Sequence, residues 1–225
     1  MMCQNGPMLR VLSIALLILA ATSARTYAHP HLFVEARATI TFDEGGNLST
    51  IRNEWMFDEA FSVWQVQGLD ANSDGKTSSG ELQTLADENL AALADFGFYT
   101  SVGQAGQTVE LTPTGPARFE FSDRRSTLTF TVAPTVPYRP EGKLEIGIAD
   151  PAYYVGITFA DVSAVAVVNA PTGCSTQLLA GRPMGDDVAA DLLSLGPDVL
   201  QLPADLAAKL RGSQQEIVVD CRVDP

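Results

Sequence analysis

Hydrophobic and polar residues alternate, imperfectly, from Leu32 to Phe42 and again from Asn47 to Met56. Side chains on a strand point to opposite faces in turn, so a period of two predicts strands with one face buried. Asp43-Glu44-Gly45-Gly46-Asn47 between the two runs is a turn sequence, and residues 31–57 therefore read as a β-hairpin. The period then changes. Phe57, Phe61, Trp64 and Val66 fall near helical spacing, with Asp58 placed to cap the start. Leu82, Leu85, Ala86, Asn89, Leu90 and Leu93 draw one mainly apolar stripe along a second helix.

From about residue 97 short strands return. Gln107 to Leu111, Ala117 to Ser122, Ser126 to Val132, Lys143 to Ala149, Val155 to Phe159, Ser163 to Asn169 and Glu216 to Val223 are the candidates. Pro113-Thr114-Gly115-Pro116 and Ser122-Asp123-Arg124-Arg125 are turns between them. Pro134, Pro137 and Pro140 mark an irregular crossing, and Pro203-Ala204-Asp205 is a helix start. No internal repeat interrupts the series. The pattern predicts an α+β fold: an antiparallel β-sandwich-like domain with an inserted helix-loop-helix. The expected organisation is a signal peptide over 1–28 and a single mature unit over 29–225. That unit divides into a hairpin (29–57), a helix-loop-helix (58–96) and a β-rich region (97–225).

Between the two helical stripes lies Asp70-Ala71-Asn72-Ser73-Asp74-Gly75-Lys76-Thr77-Ser78-Ser79-Gly80-Glu81. It matches the calcium-loop pattern D-x-[DN]-x-[DN]-G-x5-E at every specified position. Calcium takes six to eight hard oxygens, and a twelve-residue loop can wrap it. Asp70, Asn72 and Asp74 would give side-chain oxygens, Lys76 its backbone carbonyl, Ser78 a direct or water-mediated contact, and Glu81 both carboxylate oxygens. Gly75 falls where the chain turns sharply. Helix, loop and helix together predict an EF-hand. The competing reading is a surface turn rich in Asp, Asn and Gly. Such hands usually pair, with a bulky aliphatic at loop position eight. Thr77 stands there, and no second matching loop occurs. A lone hand points to a structural or weak extracellular site.

The start of the chain has the shape of a secretory signal. Arg10 supplies the positive charge, Val11 to Ala21 is apolar except for Ser13, and Thr26-Tyr27-Ala28 ends in a small residue suited to cleavage. Cleavage after Ala24 is the alternative, and an uncleaved anchor helix is the competing reading. No later run is long and apolar enough to span a bilayer, so the expectation is a periplasmic protein with no membrane span in its mature chain. The formal net charge of −13 becomes −15 when Arg10 and Arg25 leave with residues 1–28. So acidic a surface argues against nucleic acid and anionic membranes as partners. Cys3 leaves with the signal too. Cys174 and Cys221 remain, an even pair in an oxidising compartment, and predict a disulfide against the alternative of two separate buried thiols. That bond would stabilise by about 4 kcal/mol in the chain-entropy model.

His29-Pro30-His31 holds both histidines of the chain. If cleavage follows Ala28, His29 carries a free amine beside its imidazole. Residues two apart in an extended segment share a face, so His29 and His31 can share one transition ion: zinc, nickel, cobalt or copper. Pro30 has no N–H to lose, which excludes a square-planar site built on its amide. The competing reading is a polar leader to the first strand. Asp150-Pro151-Ala152-Tyr153-Tyr154 either presents an acid and two aromatics at a strand entrance or, the reading we favour, makes a turn followed by core or rim tyrosines.

Taken together, His29-Pro30-His31 after a signal, Trp55-Met56-Phe57-Asp58-Glu59, the Asp70–Glu81 loop and Asp150-Pro151-Ala152-Tyr153-Tyr154 resemble an uncharacterised bacterial domain-of-unknown-function family. That family is commonly labelled the periplasmic component of an ABC-type transport system, and members often lie beside nickel/cobalt-type permeases. The resemblance spans essentially the whole mature chain and implies an inner-membrane metal permease or ABC transporter as partner. The chain departs from a metal-binding solute receptor in having no further histidines and no two-lobed domain. The expected function is a periplasmic metal-binding accessory protein of a transition-metal transport system, with one EF-hand calcium site. The alternative is a calcium-stabilised interaction module. An enzyme is not expected: both histidines sit at a terminus and the cysteines are paired, so Ser-His-Asp and Cys-His catalysis have no materials. A copper redox site at the amino terminus is the one enzymatic version left.

Overall fold

The computed structural model describes residues 30–104, 107–196, 199, 201–210 and 212–222. The expected signal segment and His29 lie outside them. Alternation in the first two runs becomes β1 (Leu32–Phe42) and β2 (Leu48–Phe57), paired antiparallel with Ile40 opposite Ile51 and Val34 opposite Phe57. Their inward faces carry Val34, Ala36, Ala38, Ile40 and Phe42 from one strand and Ile51, Trp55 and Phe57 from the other, all buried. Burying such side chains contributes about 1.5–3 kcal/mol each for the larger ones, and a one-residue slip would turn the whole set to solvent. The register is fixed by that loss.

Among the described residues there are twelve strands and four α-helices, a mixed α+β arrangement of mostly antiparallel sheets. The first sheet runs β10-β1-β2-β7-β5, with β6 also on β7 and β9 also on β1. Here β5 is Leu111–Pro113, β6 Arg118–Ser122, β7 Arg125–Pro134, β9 Val155–Thr158 and β10 Val165–Val168. The second sheet runs β11-β12-β8-β3-β4: Ser175–Leu179, Glu216–Asp220, Lys143–Ile148, Thr100–Gln104 and Gln107–Thr108. Leu128, Phe130 and Val132 of the first sheet and Leu144, Ile146, Ile217 and Val219 of the second belong to one buried cluster. The expectation of antiparallel strands fails at one place: β9 and β10 run parallel to β1, end to end along its free edge.

The helices are α1 (Glu59–Gln65), α2 (Gln83–Ala94), α3 (Asp186–Leu193) and α4 (Ala204–Leu210). Leu82 and Ala86 reach the main core. Trp64, placed on the inner stripe of the first helix by its spacing, is instead 66% exposed. The seven-residue α1 follows directly from Phe57 of β2 and has room to bury only one side, with Ser62 at its centre. A second, small cluster joins Leu192 of α3 to Leu206 and Leu210 of α4, with Tyr153 against it. Cys174 and Cys221 are joined as a disulfide, which ties the approach to β11 to the residue after β12. No helix among the described residues is long and apolar enough to cross a membrane.

Candidate functional site

The loop between α1 and α2 is held by its own carboxylates. Asp58 caps α1, its Oδ1 accepting from the Phe61 N–H at 2.9 Å and its Oδ2 from the Phe33 N–H of β1 at 3.1 Å. That anchors the start of α1, the helix leading into the loop, against the first sheet. At the outgoing end Ser78 and Glu81 form a reciprocal pair. The Ser78 N–H donates to Glu81 Oε2 at 2.8 Å, and the Glu81 N–H donates to Ser78 Oγ at 3.4 Å. This is a capping box, Ser at the cap and Glu three residues on, and Ser78-Ser79-Gly80-Glu81 spells it in the sequence. A first helical turn, with Leu82 N–H donating to Ser78 O at 3.1 Å, leads into α2.

Inside the loop Asp70 accepts from the Asp74 N–H through Oδ1 (3.1 Å) and from the Gly75 N–H through Oδ2 (2.9 Å). Asp74 accepts from the Lys76 N–H at 2.9 Å and from Asn72 Nδ2 at 3.1 Å. Glu81 reaches back across the loop, its Oε1 accepting from the Ala71 N–H at 2.9 Å. Gly75 has φ +81° with open space around it, and Ser73 shares the left-handed conformation at φ 59°. The Glu81 carboxyl is held below its ordinary pKa, first by the Ser78 N–H and then by the Ser78 hydroxyl. The oxygens of Asp70, Asn72, Asp74, Ser78 and Glu81 are therefore gathered on one short loop. They are hard donors that suit calcium by chemistry. Among the described residues none of the three acids makes an ion pair within 4.0 Å. Nor is there, among the described residues, a group of three or more His, Cys, Asp and Glu side chains close enough to hold a metal by themselves. Half of the loop's donor set is Asn72, Ser78 and the Lys76 carbonyl, and each carboxylate is turned onto N–H groups.

His31 stands apart from this loop. Its N–H donates to Tyr154 O at 2.8 Å, and its ring stacks on the Tyr154 ring with centroids 4.4 Å apart. The carboxylates near the start of the hairpin have other partners: Glu35 pairs with Arg125 and Glu54 with Arg52, each at 2.7 Å, while Asp58 is the cap. Asp150 is buried, its Oδ1 accepting from the Ala152 N–H at 2.8 Å and its Oδ2 from the Val155 N–H at 2.9 Å. Asp150 to Tyr154 is thus a turn followed by two half-buried tyrosines, Tyr153 against the small second cluster and Tyr154 on His31.

Sequence reasoning missed a second feature. Gly97, Phe98 and Tyr99 take φ of 59°, 59° and 47° in succession, and Tyr153 takes 58°. Left-handed backbone costs a residue with a Cβ about 1–2 kcal/mol, and such strain gathers at sites with a task. Burial, then the negative Asp150 and the Tyr154 phenol, push the Tyr99 hydroxyl up to about 12. The sequence signal was faint: an aromatic triplet around Gly97 after a helix.

No curated protein matches the chain. A family model described as "Protein of unknown function (DUF1007)" matches residues 14–218. The match takes in the hairpin, the loop, the strained aromatics and the second sheet, and the chain belongs to that family.

Proposed function

We propose that this chain is an exported, calcium-binding accessory protein of a transition-metal transport system, with residues 70–81 acting as a single EF-hand loop in a sandwich-like β framework. One observation carries the reading. Asp70, Asp74 and Glu81 lie on one twelve-residue loop, Glu81 folds back over it to the Ala71 N–H, and none of the three makes an ion pair within 4.0 Å among the described residues. A bound calcium ion supplies charge neutralisation; the chain's part is to hold Asp70, Asn72, Asp74, the Lys76 carbonyl, Ser78 and Glu81 around one point. Loop closure leads directly into α2, because Glu81 belongs both to the loop and to the Ser78–Leu82 turn that precedes the helix. His31, seated on Tyr154 next to Pro30, would hold a transition ion together with His29, and the resemblance to transport components supplies the partner.

A second reading, a calcium-stabilised interaction module in the periplasm, is favoured by the commitments of Glu35, Glu54 and Asp58, each already held by another group of the chain. Native mass spectrometry of the processed, metal-free protein, titrated with calcium, zinc, nickel and copper, separates the two. One calcium lost only in Asp70→Ala/Glu81→Ala, with one transition ion lost only in His29→Ala/His31→Ala, supports the first. Calcium alone supports the second. No calcium at the loop overturns both.

A further inference from the structure

The C-terminal end of α2 opens into a groove of about 940 Å³, well away from the start of that helix and its loop. Its floor and walls come from the turn after α2, the link between β4 and β5, the turn at residues 150–154 and α4. This is the size of a small-molecule site. Its walls are apolar and aromatic: Phe96, Tyr99, Leu111, Pro151 and Tyr153 all line it. Tyr99 lies between two rings, 5.7 Å from Phe96 on the exposed side and 6.1 Å from the buried Trp55 on the core side. Phe96 is 47% exposed, an aromatic face left open at the rim. The left-handed run Gly97-Phe98-Tyr99 and left-handed Tyr153 set two of these walls.

The charge of the groove has one sign. Glu110 is the one charged side chain among the described residues that line it. Asp150 is buried directly beside the lining residue Pro151. Ala94 brings the C-terminal end of α2 to the groove, the negative end of the helix dipole, and the last turn of α2 carries no basic residue. Behind the wall, Trp55 Nε1 and Asn53 Oδ1 are buried with no hydrogen-bond partner among the described residues, and Asn53 Nδ2 donates to the lining Thr100 at 3.4 Å. An anion meets repulsion here. A neutral apolar ligand leaves Glu110 unused. A cation with an apolar body meets ring faces, whose quadrupoles attract it, and a carboxylate.

We propose that this groove is a binding site for a small organic cation bearing an apolar group, held by the open face of the Phe96 ring, which Tyr99 backs, and by Glu110. The assignment does not depend on the calcium loop.

The test uses the full processed protein and isothermal titration calorimetry with benzyltrimethylammonium, against 2-phenylethanol as a neutral probe and 3-phenylpropionate as an anionic one. The cation is expected to bind with a Kd of about 1 mM or tighter, the range a ligand of this size reaches with modest efficiency, and both comparators at least about tenfold more weakly. Phe96→Ala is expected to weaken the cation about threefold, as for an exposed cation–π contact, and Glu110→Gln about fivefold. Both residues are exposed, so the variants are expected to unfold at the wild-type temperature; Glu120→Gln on β6 is expected to leave binding unchanged. Binding that ignores both groove variants overturns the proposal. So does equal binding of the anion or the neutral probe, failure of benzyltrimethylammonium to bind, or capture of a lysine-rich peptide in place of the small cation.

Discussion

Two surface turns of this chain use the same residue types and solve different problems. The hairpin turn from Asp43 to Asn47 carries two acids, Asp43 and the exposed Glu44, and only the first of them closes it. Asp43 Oδ1 accepts from the Gly45 and Asn47 N–H groups and Oδ2 from Asn47 Nδ2, each at 2.8 Å, and Arg139 adds an attractive charge. One carboxylate closes the turn and is itself accounted for. The loop from Asp70 to Glu81 has three acids for a comparable service, and no ion pair among the described residues balances them. Composition in Asp, Asn and Gly does not tell these turns apart. Three carboxylates at the calcium-loop spacing with no ion pair among the described residues do, and the proposed calcium site rests on that spacing.

The largest expected effect tests that contrast directly. Calcium at one hundred times its Kd is expected to raise the unfolding free energy by about 2.7 kcal/mol, seen as a higher Tm in differential scanning calorimetry. Asp70→Ala should abolish this response, while Asp43→Ala should keep it in full. Loss of the response in Asp43→Ala would erase the difference between the two turns.

Glycine substitutions come next. Gly46 and Gly75 have φ of +77° and +81°, so alanine at either position is expected to cost about 1–2 kcal/mol in chemical denaturation. The surroundings differ. A Cβ on Gly75 meets nothing within 4 Å, whereas one on Gly46 comes to 3.4 Å from Pro171 Cγ. Gly75→Ala should therefore lose only its backbone preference and also weaken calcium binding; Gly46→Ala should leave calcium binding alone. Ser78→Ala follows. Removing the hydroxyl breaks one half of the Ser78/Glu81 capping box in the turn before α2, and the metal-free protein is expected to lose about 1 kcal/mol of stability. Ser78→Asp, which restores a capping oxygen, should recover it.

Much of this was legible from local pattern. The hairpin followed from alternation, and α1 from Asp58 and its spacing to Phe61. The stripe Leu82, Ala86 and Leu93 is the buried side of α2. What escaped was non-local or weakly patterned. β9 and β10 lie parallel to β1 because of how distant strands meet, and no short run of residues encodes that pairing. β3 reads Thr-Ser-Val-Gly-Gln with Val102 in the apolar core and the polar Thr100 buried beside it, and β11 is an edge strand with no fully buried residue. α3, with two acids in its first turn and only Leu192 buried, packs on α4 and not on the main core. At the site, the loop's residues were readable one by one, as was Ser78-x-x-Glu81, but its lack of counter-charges needed the fold. The groove was invisible, since Glu110, Tyr99 and Pro151 are brought together only by the second sheet and α4.

The smallest effect bears on the self-contained turn. The Asp43 carboxyl is held below its ordinary pKa of 3.8, first by the Asn47 side-chain amide and then by the Asn47 N–H. A carboxyl that is more acidic folded than unfolded stabilises the fold above its unfolded pKa, and that contribution fades as pH falls through the folded value. Carbon-13 NMR of the Asp43 carboxyl is therefore expected to give a midpoint below 3.8. In Asn47→Ala the midpoint should move up toward the ordinary value, because the largest hydrogen bond to the charged form is gone. Adding calcium should move neither curve, since Asp43 is already provided with donors by its own turn. A midpoint at or above the ordinary value, or one that shifts with calcium, would mean that Asp43 is not satisfied by its own turn. The two turns would then differ in length and not in how their charges are balanced.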